Sequence, residues 1–450
     1  MNPTPPQSAP SSQTSVFFRD ATIITCDQNG QIVQGCVHVQ DGLIKEILPL
    51  NSKPPTEAVV VPLEGKWLLP GFVQTHVHLV QTLFRGLADD LPLMDWLSNR
   101  IWPLEAAHDE DSVYWSARLG ATELLLGGTT AILDMATVNH TESVFHAVTE
   151  TGIRAFIGKA MMDRPNPLGL HESTDDSIKG ACQLADAWHG KGNVQYAFAP
   201  RFVPSCTETL LRETIAAARQ RNCLLHTHAS ENKEEIALVR ELTGKDNIEY
   251  LHDLGFTGSD VVLAHCIHLS DAERSILAES GTTVAHCPGS NMKLGSGIAP
   301  IPELLNQGVR CTLGADGAPC NNRLDMFAEM RLAALIQKPR LGPSHMPSRR
   351  VLEMATRMGA EALGLEAGSI EPGKKADLVT LDPRAISGWG AGEPSSAIVY
   401  ALTPAAVETV WIGGQQVVSD GAVVGWSNED TVDGCNQAIA RVMARAGIAP

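Results

Sequence analysis

Eight short apolar runs, each followed by an amphipathic stretch, set the strongest limit on how this chain folds. They read LLPGFVQTH, TTAILDM, IRAFIGKAM, VQYAFAP, CLLHTHA, VVLAHC, TTVAHCP and RCTLGAD, in that order along the chain. Continuous Val/Ile/Leu runs suit strands buried on both faces of a parallel sheet. The pieces between them, such as SVYWSARLGATELLL and SCTETLLRETIAAARQ, carry apolar residues at helical spacing. Eight strand–helix units over about 300 residues is a size that a (β/α)8 barrel takes. The rival architecture is a doubly wound open sheet, which has fewer strands and an early glycine-rich turn. That fingerprint does not occur here.

The two ends of the chain have another texture. FFRDATIITC, CVHVQDGLIKEIL and VVVPLEGKWLL alternate apolar and polar residues between Gly and Asp turns, and ADLVTLDP and TVWIGGQQVVSDG repeat the pattern near the C terminus. The expected organisation is an α/β TIM barrel over 67–369 with a small β-sandwich domain built from both ends, 16–66 and 370–425. A tail at 1–15, rich in Pro, Ser and Gln, reads as disordered, and 426–450 reads as a C-terminal helix. The Gly/Trp/Ala stretch at 388–392 reads as a surface loop.

Composition narrows the function classes. The formal charge of -17 opposes binding to nucleic acid or an anionic membrane. No run reaches the roughly 18 apolar residues of a membrane span. The N-terminal residues lack the basic start and apolar core of a secretory signal. Ten scattered cysteines without a CxxC pair suit reduced thiols in a cytoplasm. The expectation is a cytoplasmic homo-oligomer that acts on a small molecule.

The polar residues fall at the ends of the runs. His76 and His78 close the first, His228 the fifth and His265 the sixth, His286 lies near the end of the seventh, and Asp316 ends the eighth. Catalytic groups of a barrel project from the C-terminal ends of its strands. Residues 76 and 78 share one face of a strand. Two imidazoles there, a third from another strand and a carboxylate make a site for one divalent metal, zinc or iron, with a position left open for water. Any one of these histidines alone reads more readily as structural, but their joint placement does not.

Glu231 follows His228 by three residues, where a carboxylate reaches the water and shuttles its proton. Its structural alternative is a helix-opening Glu capped by Ser230, though Lys233 then stands where a capping box needs an acid. Glu234 and Glu235 continue the polar run and read as solvated. His265 is expected to hydrogen-bond the activated water or the oxyanion formed from it. Asp316, besides ligating, is expected to accept the water's second proton.

PGFVQTHVH, LHTHASE, LAHC and LGADGAPCNN together resemble the amidohydrolase superfamily, in its branch of aromatic deaminases with one metal. The resemblance covers nearly the whole chain. It implies hydrolytic removal of an exocyclic amine from an aromatic N-heterocycle, with one zinc or iron and no carboxylated lysine. LFRGLADDLPLMDWLSNRIWPLE and HCPGSNMKLGSGIAP are similar to the methylthioadenosine/S-adenosylhomocysteine and 5'-deoxyadenosine deaminases. In that group Trp96 matches a residue that packs on the nucleoside, and Glu105 one that holds the ribose hydroxyls. RAFIGKAMMD and APRFVPSCTETLL look like the guanine deaminases, where Arg201 matches a residue that grips the purine and Gln81 one that bonds its rim. Two positions depart from the nucleoside pattern: Cys320, at a substrate-binding position, replaces a frequent Ser, and Lys159 replaces a frequent Arg. An adenine nucleoside is favoured over guanine, a pterin or a triazine. A ring-opening hydrolase and a non-catalytic metal-binding relative remain as alternatives.

Overall fold

The computed structural model describes residues 15–165, 169–384 and 392–448. Most of the expected tail, and all but Gly392 of the stretch at 388–392, lie outside them. The apolar runs form a parallel barrel whose strands are Phe72–His78 (β1), Thr129–Met135 (β2), Arg154–Gly158 (β3), Val194–Pro200 (β4), Leu224–Ala229 (β5), Val261–His265 (β6), Thr283–His286 (β7) and Cys311–Leu313 (β8). Short extensions Ala160–Met161 and Asp316–Gly317 continue β3 and β8. Asp316 pairs with Val77 and Gly317 with His78, so the last strand returns to β1 and closes the barrel.

One small cluster identifies the interior. Val73, Ala131, Leu133, Phe156, Ala197, Val262 and Ala285 come from six strands and pack together with Ala360 and Leu363. The larger cluster lies between strands and helices and holds residues such as Phe72, Ile132 and Leu225. The connecting helices start where short polar side chains cap them. Asp109 and Ser112 make a reciprocal capping box at Glu110–Leu126, as do Ser270 and Glu273 at Asp271–Ser280.

Strands from both chain ends form a nine-stranded mixed sheet. Its order begins at the C-terminal strands Ala422–Val423, Gln415–Ser419, Val407–Ile412 and Leu378–Leu381. It continues through Trp67–Pro70 and Ser15–Ile24 to Ile32–Gln40 and Leu43–Pro49. The first apolar run is thus split: Trp67–Pro70 pairs in this sheet, and the barrel begins at Phe72. Gly71 makes the crossing possible, because a Cβ there would lie 2.2 Å from Thr130. A buried ion pair joins barrel and sheet: Arg154 Nε donates to Asp377 Oδ2 at 2.6 Å and Nη2 to Oδ1 at 3.0 Å.

The helix Asn428–Ala446 lies against the C-terminal rim of the barrel. Its Cys435, Ala438 and Val442 join a cluster with Leu93, Trp96, Leu97, Phe202 and Leu294. No helix among the described residues is long and apolar enough to cross a membrane.

Candidate metal centre and active site

Strand alternation alone does not deliver the histidines to the interior. Val73 faces inward, so strict alternation along β1 turns His76 and His78 outward. The register of β1 against β2 shifts between Gln74 and Val77, and this irregularity re-aims both rings. A similar problem arises at β6. Val262 faces inward, which puts His265 on the outer side. Left-handed backbone at His265 (φ 72°) and Cys266 (φ 48°) swings the ring back over the barrel mouth. Asp316 (φ 62°) and Ser230 (φ 54°) share this uncommon conformation. Non-glycine residues held there store strain, which collects at functional sites.

His76, His78, His228 and Asp316 bring their ligand atoms within 4.8 Å of one another. The outer nitrogens determine the tautomers. His78 Nδ1 donates to the Met135 carbonyl at 2.7 Å, and His228 Nδ1 to the Arg201 carbonyl at 2.7 Å. His226 Nδ1 donates to the Val262 carbonyl at 3.0 Å, so its Nε2 accepts from His76 Nδ1 at 2.8 Å. All three inner Nε2 atoms therefore present lone pairs. His78 Nε2 and His228 Nε2 stand 3.2 Å apart, and Asp316 Oδ1 lies 3.2 Å from His76 Nε2 and 3.3 Å from His78 Nε2. Four acceptors without a proton between them repel one another, and a cation resolves the conflict. Donors about 2.0–2.1 Å from a tetrahedral zinc are about 3.3 Å apart. The residues present fit one divalent metal.

Burial makes these imidazoles reluctant to protonate. It pushes His78 down to about 3, helped by His76, and holds His228 and His226 well below the usual range. Burial works to raise Asp316, but the His76, His265 and His78 rings outweigh it and keep the carboxylate ionised. Neutral imidazoles and an ionised carboxylate are the forms that bind a metal.

Glu231 and His265 stand beside the cluster. His265 Nδ1 is bonded to Asn291 Oδ1 at 2.8 Å, which leaves Nε2 facing Glu231 Oε2 at 3.6 Å and Asp316 Oδ2 at 3.9 Å. Burial raises Glu231 to about 7 against the pull of His265. Burial opposes a charge on His265, yet Glu231 and Asp316 raise its pKa. Burial thus favours the protonated Glu231 carboxyl, while the neighbouring carboxylates favour the protonated His265 ring.

The helix after β5 begins later than the sequence suggests. It spans Lys233–Thr243, its cap is Asn232 rather than Ser230, and Glu235 is the reciprocal acid of the capping box. Glu235 is buried, not solvated: Oε2 accepts the Glu231 N–H at 2.7 Å and the Asn232 N–H at 3.3 Å. The shift leaves Glu231 outside the helix, pinned by its backbone. Ser290 Oγ donates to Asp316 Oδ2 at 2.6 Å, turning Oδ1 toward the imidazoles. His226 is visible in sequence as the first member of a second His-x-His pair. Glu235, Ser290 and Asn291 carry no comparable signal.

A cavity opens over the cluster. Gln81, Trp96 and Arg201 line it together with His78, His228, Glu231, His265 and Asp316. The Trp96 Nε1 and Gln81 Oε1 atoms are buried without partners among the described residues. Glu105 is buried behind this wall and is not among the lining residues. It accepts two bonds from Arg201 and one from Gln81 Nε2 at 2.8 Å. Cys320 also stands back from the cavity, its thiol donating to the Gly317 carbonyl at 3.0 Å. Lys159 is occupied by the Val138 carbonyl and by Glu172, each at 2.6 Å. His286 stays apart from the metal ligands, and neither ring nitrogen has a partner among the described residues.

Several known proteins are similar to this chain over most of its length. A 5'-deoxyadenosine deaminase of Methanothermobacter thermautotrophicus is 41% identical over 398 residues, covering 87% of this chain and 91% of the relative. A 5-methylthioadenosine/S-adenosylhomocysteine deaminase of Desulforudis audaxviator is 37% identical over 93% of this chain and 96% of its own length. The solved structure of a Xanthomonas campestris adenosine deaminase with bound zinc is similar at a TM-score of 0.90 and 30% identity, covering 96% of this chain and 99% of that one. Residues 67–417 match the profile of the Amidohydrolase family, a span that runs from the last strand before the barrel to the returning sheet strands. With three imidazoles and an aspartate at the strand ends of that span, the chain belongs to the amidohydrolase family.

Proposed function

We propose that the protein is a zinc-dependent aminohydrolase that replaces the exocyclic amine of an adenine nucleoside by oxygen and releases ammonia. The observation that carries this reading is the Glu231–His265 pair beside the four-ligand cluster, with 3.6 Å between carboxylate and imidazole. When bound, the metal lowers the pKa of water toward neutrality.

The chain's own residues then move the protons. Glu231 takes one proton from the attacking water and passes it to the ring nitrogen beside the aminated carbon. His265 Nε2 donates to the developing oxyanion. The carbon becomes tetrahedral, carrying both oxygen and amine. Asp316 accepts the second proton, which reaches the departing nitrogen. The C–N bond breaks, ammonia leaves and a ring carbonyl forms. Trp96 packs on the nucleoside, while Arg201 and Gln81 address acceptors and donors on the purine rim. Glu105 acts through Arg201 and Gln81 by holding both in place. The similarity to adenosine-type deaminases over nearly their whole length supports adenine over guanine. The ten cysteines, all unpaired and nine of them buried, suit a reducing cytoplasm. A homo-oligomer completes the reading.

The experiment is an ammonia-release screen of zinc-loaded protein with adenosine, 5'-deoxyadenosine, guanine, pterins and aminotriazines. Ammonia with a matching hypoxanthine nucleoside is the expected result. Ammonia from guanine, a pterin or a triazine alone removes the nucleoside assignment. Ring opening without ammonia removes deamination altogether.

A further inference from the structure

Two of the four ligands, His76 and His78, come from the end of β1, so the path of the chain past His78 decides where that ring points. Val77 opposite Asp134 is the last pair of the β1–β2 ladder. The short helix Leu79–Phe84 begins at once, and the first N–H groups of a helix have no partner inside it. The His78 side chain caps none of them. The last two residues of β2 take over from the ladder. The Met135 carbonyl accepts from His78 Nδ1 at 2.7 Å, and Asp134 Oδ1 accepts the Leu79 N–H at 2.7 Å. The Leu79 carbonyl accepts in turn from Thr82 Oγ1 at 2.7 Å and from Ser116 Oγ at 2.9 Å. Side chains thus hold both backbone polar groups of the residue that follows the ligand.

A carboxyl group is a costly choice for this task. Ala131 and Leu133 face the barrel interior, so alternation along β2 turns Asp134 to the other face with Ile132, among the apolar residues between strands and helices. Asp134 is fully buried, and its Oδ2 has no partner among the described residues. Burial raises its pKa to about 7. An acid kept in such surroundings for a single hydrogen bond breaks the rule that buried polar atoms are paired, and such breaks collect at functional sites. The bond in question fixes the residue between His78, a ligand, and the helix that carries Gln81, which lines the cavity.

We propose that Asp134 is a positioning residue of the metal centre: by accepting the Leu79 N–H it fixes the backbone just past His78, so that Nε2 of that ring is aimed at the ion. It touches neither metal nor substrate and acts through Leu79. The inference rests on the metal reading of the four-ligand cluster. It differs from the role of the Met135 carbonyl, which sets the tautomer of His78 but leaves the chain beyond it free to turn.

The test measures zinc affinity, by competition with a chelator, for the wild type, Asp134→Ala and Asp134→Asn, after thermal unfolding has shown that each metal-free protein is folded. Asp134→Ala should bind zinc roughly 10–100-fold more weakly, as loss of an outer partner does. Asp134→Asn keeps an oxygen for the Leu79 N–H and should stay within roughly threefold of the wild type. A residue that served stability alone would lower the unfolding temperature and leave the affinity of the folded protein unchanged. Equal affinity in the wild type and folded Asp134→Ala overturns the inference, as does an equal loss in both variants, and either result leaves the metal reading standing. Wild type that takes up no divalent metal overturns that reading and the inference with it. A second measurement needs no variant to fold. Coupling is reciprocal, so zinc should slow hydrogen exchange of the wild-type Leu79 amide by a similar factor of roughly 10–100. An exchange rate that zinc leaves unchanged overturns the inference.

Discussion

Arg201 and Glu105 form a buried two-pronged ion pair, with Nη1 2.7 Å from Oε2 and Nη2 3.3 Å from Oε1. They are 96 residues apart in sequence and come from β4's end and from the helix Trp102–Ala106. Gln81 joins them through the same carboxylate, so one acid holds two residues of the cavity wall. Glu105→Ala leaves a buried guanidinium without its partner, an effect worth about 3–5 kcal/mol of stability. Thermal unfolding measures that loss. KM for free bases and nucleosides should rise together, because the proposed reading has Arg201 and Gln81 address the ring. A rise confined to nucleosides would return Glu105 to the ribose hydroxyls that the family resemblance implies.

Glu231→Gln preserves the shape of the cavity and removes the proton acceptor. Zinc content, measured by elemental analysis, should remain near one per chain, while kcat falls by roughly 10²–10⁴. Normal turnover would remove the proton-transfer role.

His226 is not among the residues lining the cavity, but it fixes the tautomer of His76 at 2.8 Å. His226→Ala should weaken zinc binding by roughly 10–100-fold, as loss of such outer partners does. Competition with a chelator reads this directly. Asp316→Ala removes a ligand and should lower metal content further than His226→Ala does.

Glu329 offers a pH-dependent signature away from the chemistry. It is buried, accepts from the Gly289 N–H at 3.0 Å and from Asn321 Nδ2 at 2.9 Å, and burial raises it from 4.5 to about 8. Between those values the folded protein retains a proton that the unfolded chain has released. Stability from this group is complete below about pH 4.5 and is lost as pH rises through about 8. Denaturant unfolding from pH 5 to 8 should therefore show a shallower fall for Glu329→Gln than for the wild type. Parallel slopes would mean that Glu329 is ionised in the fold.

The barrel is legible in the sequence because β-strands buried on both faces need unbroken apolar runs, and runs such as TTAILDM and VQYAFAP satisfy that need without help from distant residues. The ligands are legible for the same reason: they end those runs. What is not legible depends on backbone dihedrals or on long-range partners. Nothing in VVLAHC announces that His265 turns through a left-handed conformation to reach Glu231. The burial of Glu235 depends on Asn232 capping the helix, a choice made between two plausible caps two residues apart. The pairing of Glu105 with Arg201 needs the whole barrel to bring the two together.

The packing of the helix Asn428–Ala446 has a consequence for the cavity. Cys435, Ala438 and Val442 support the same cluster as Trp96, Leu97 and Phe202, three residues of the cavity lining. A chain whose helix came loose would keep its metal ligands at the barrel strand ends and lose the backing of that wall.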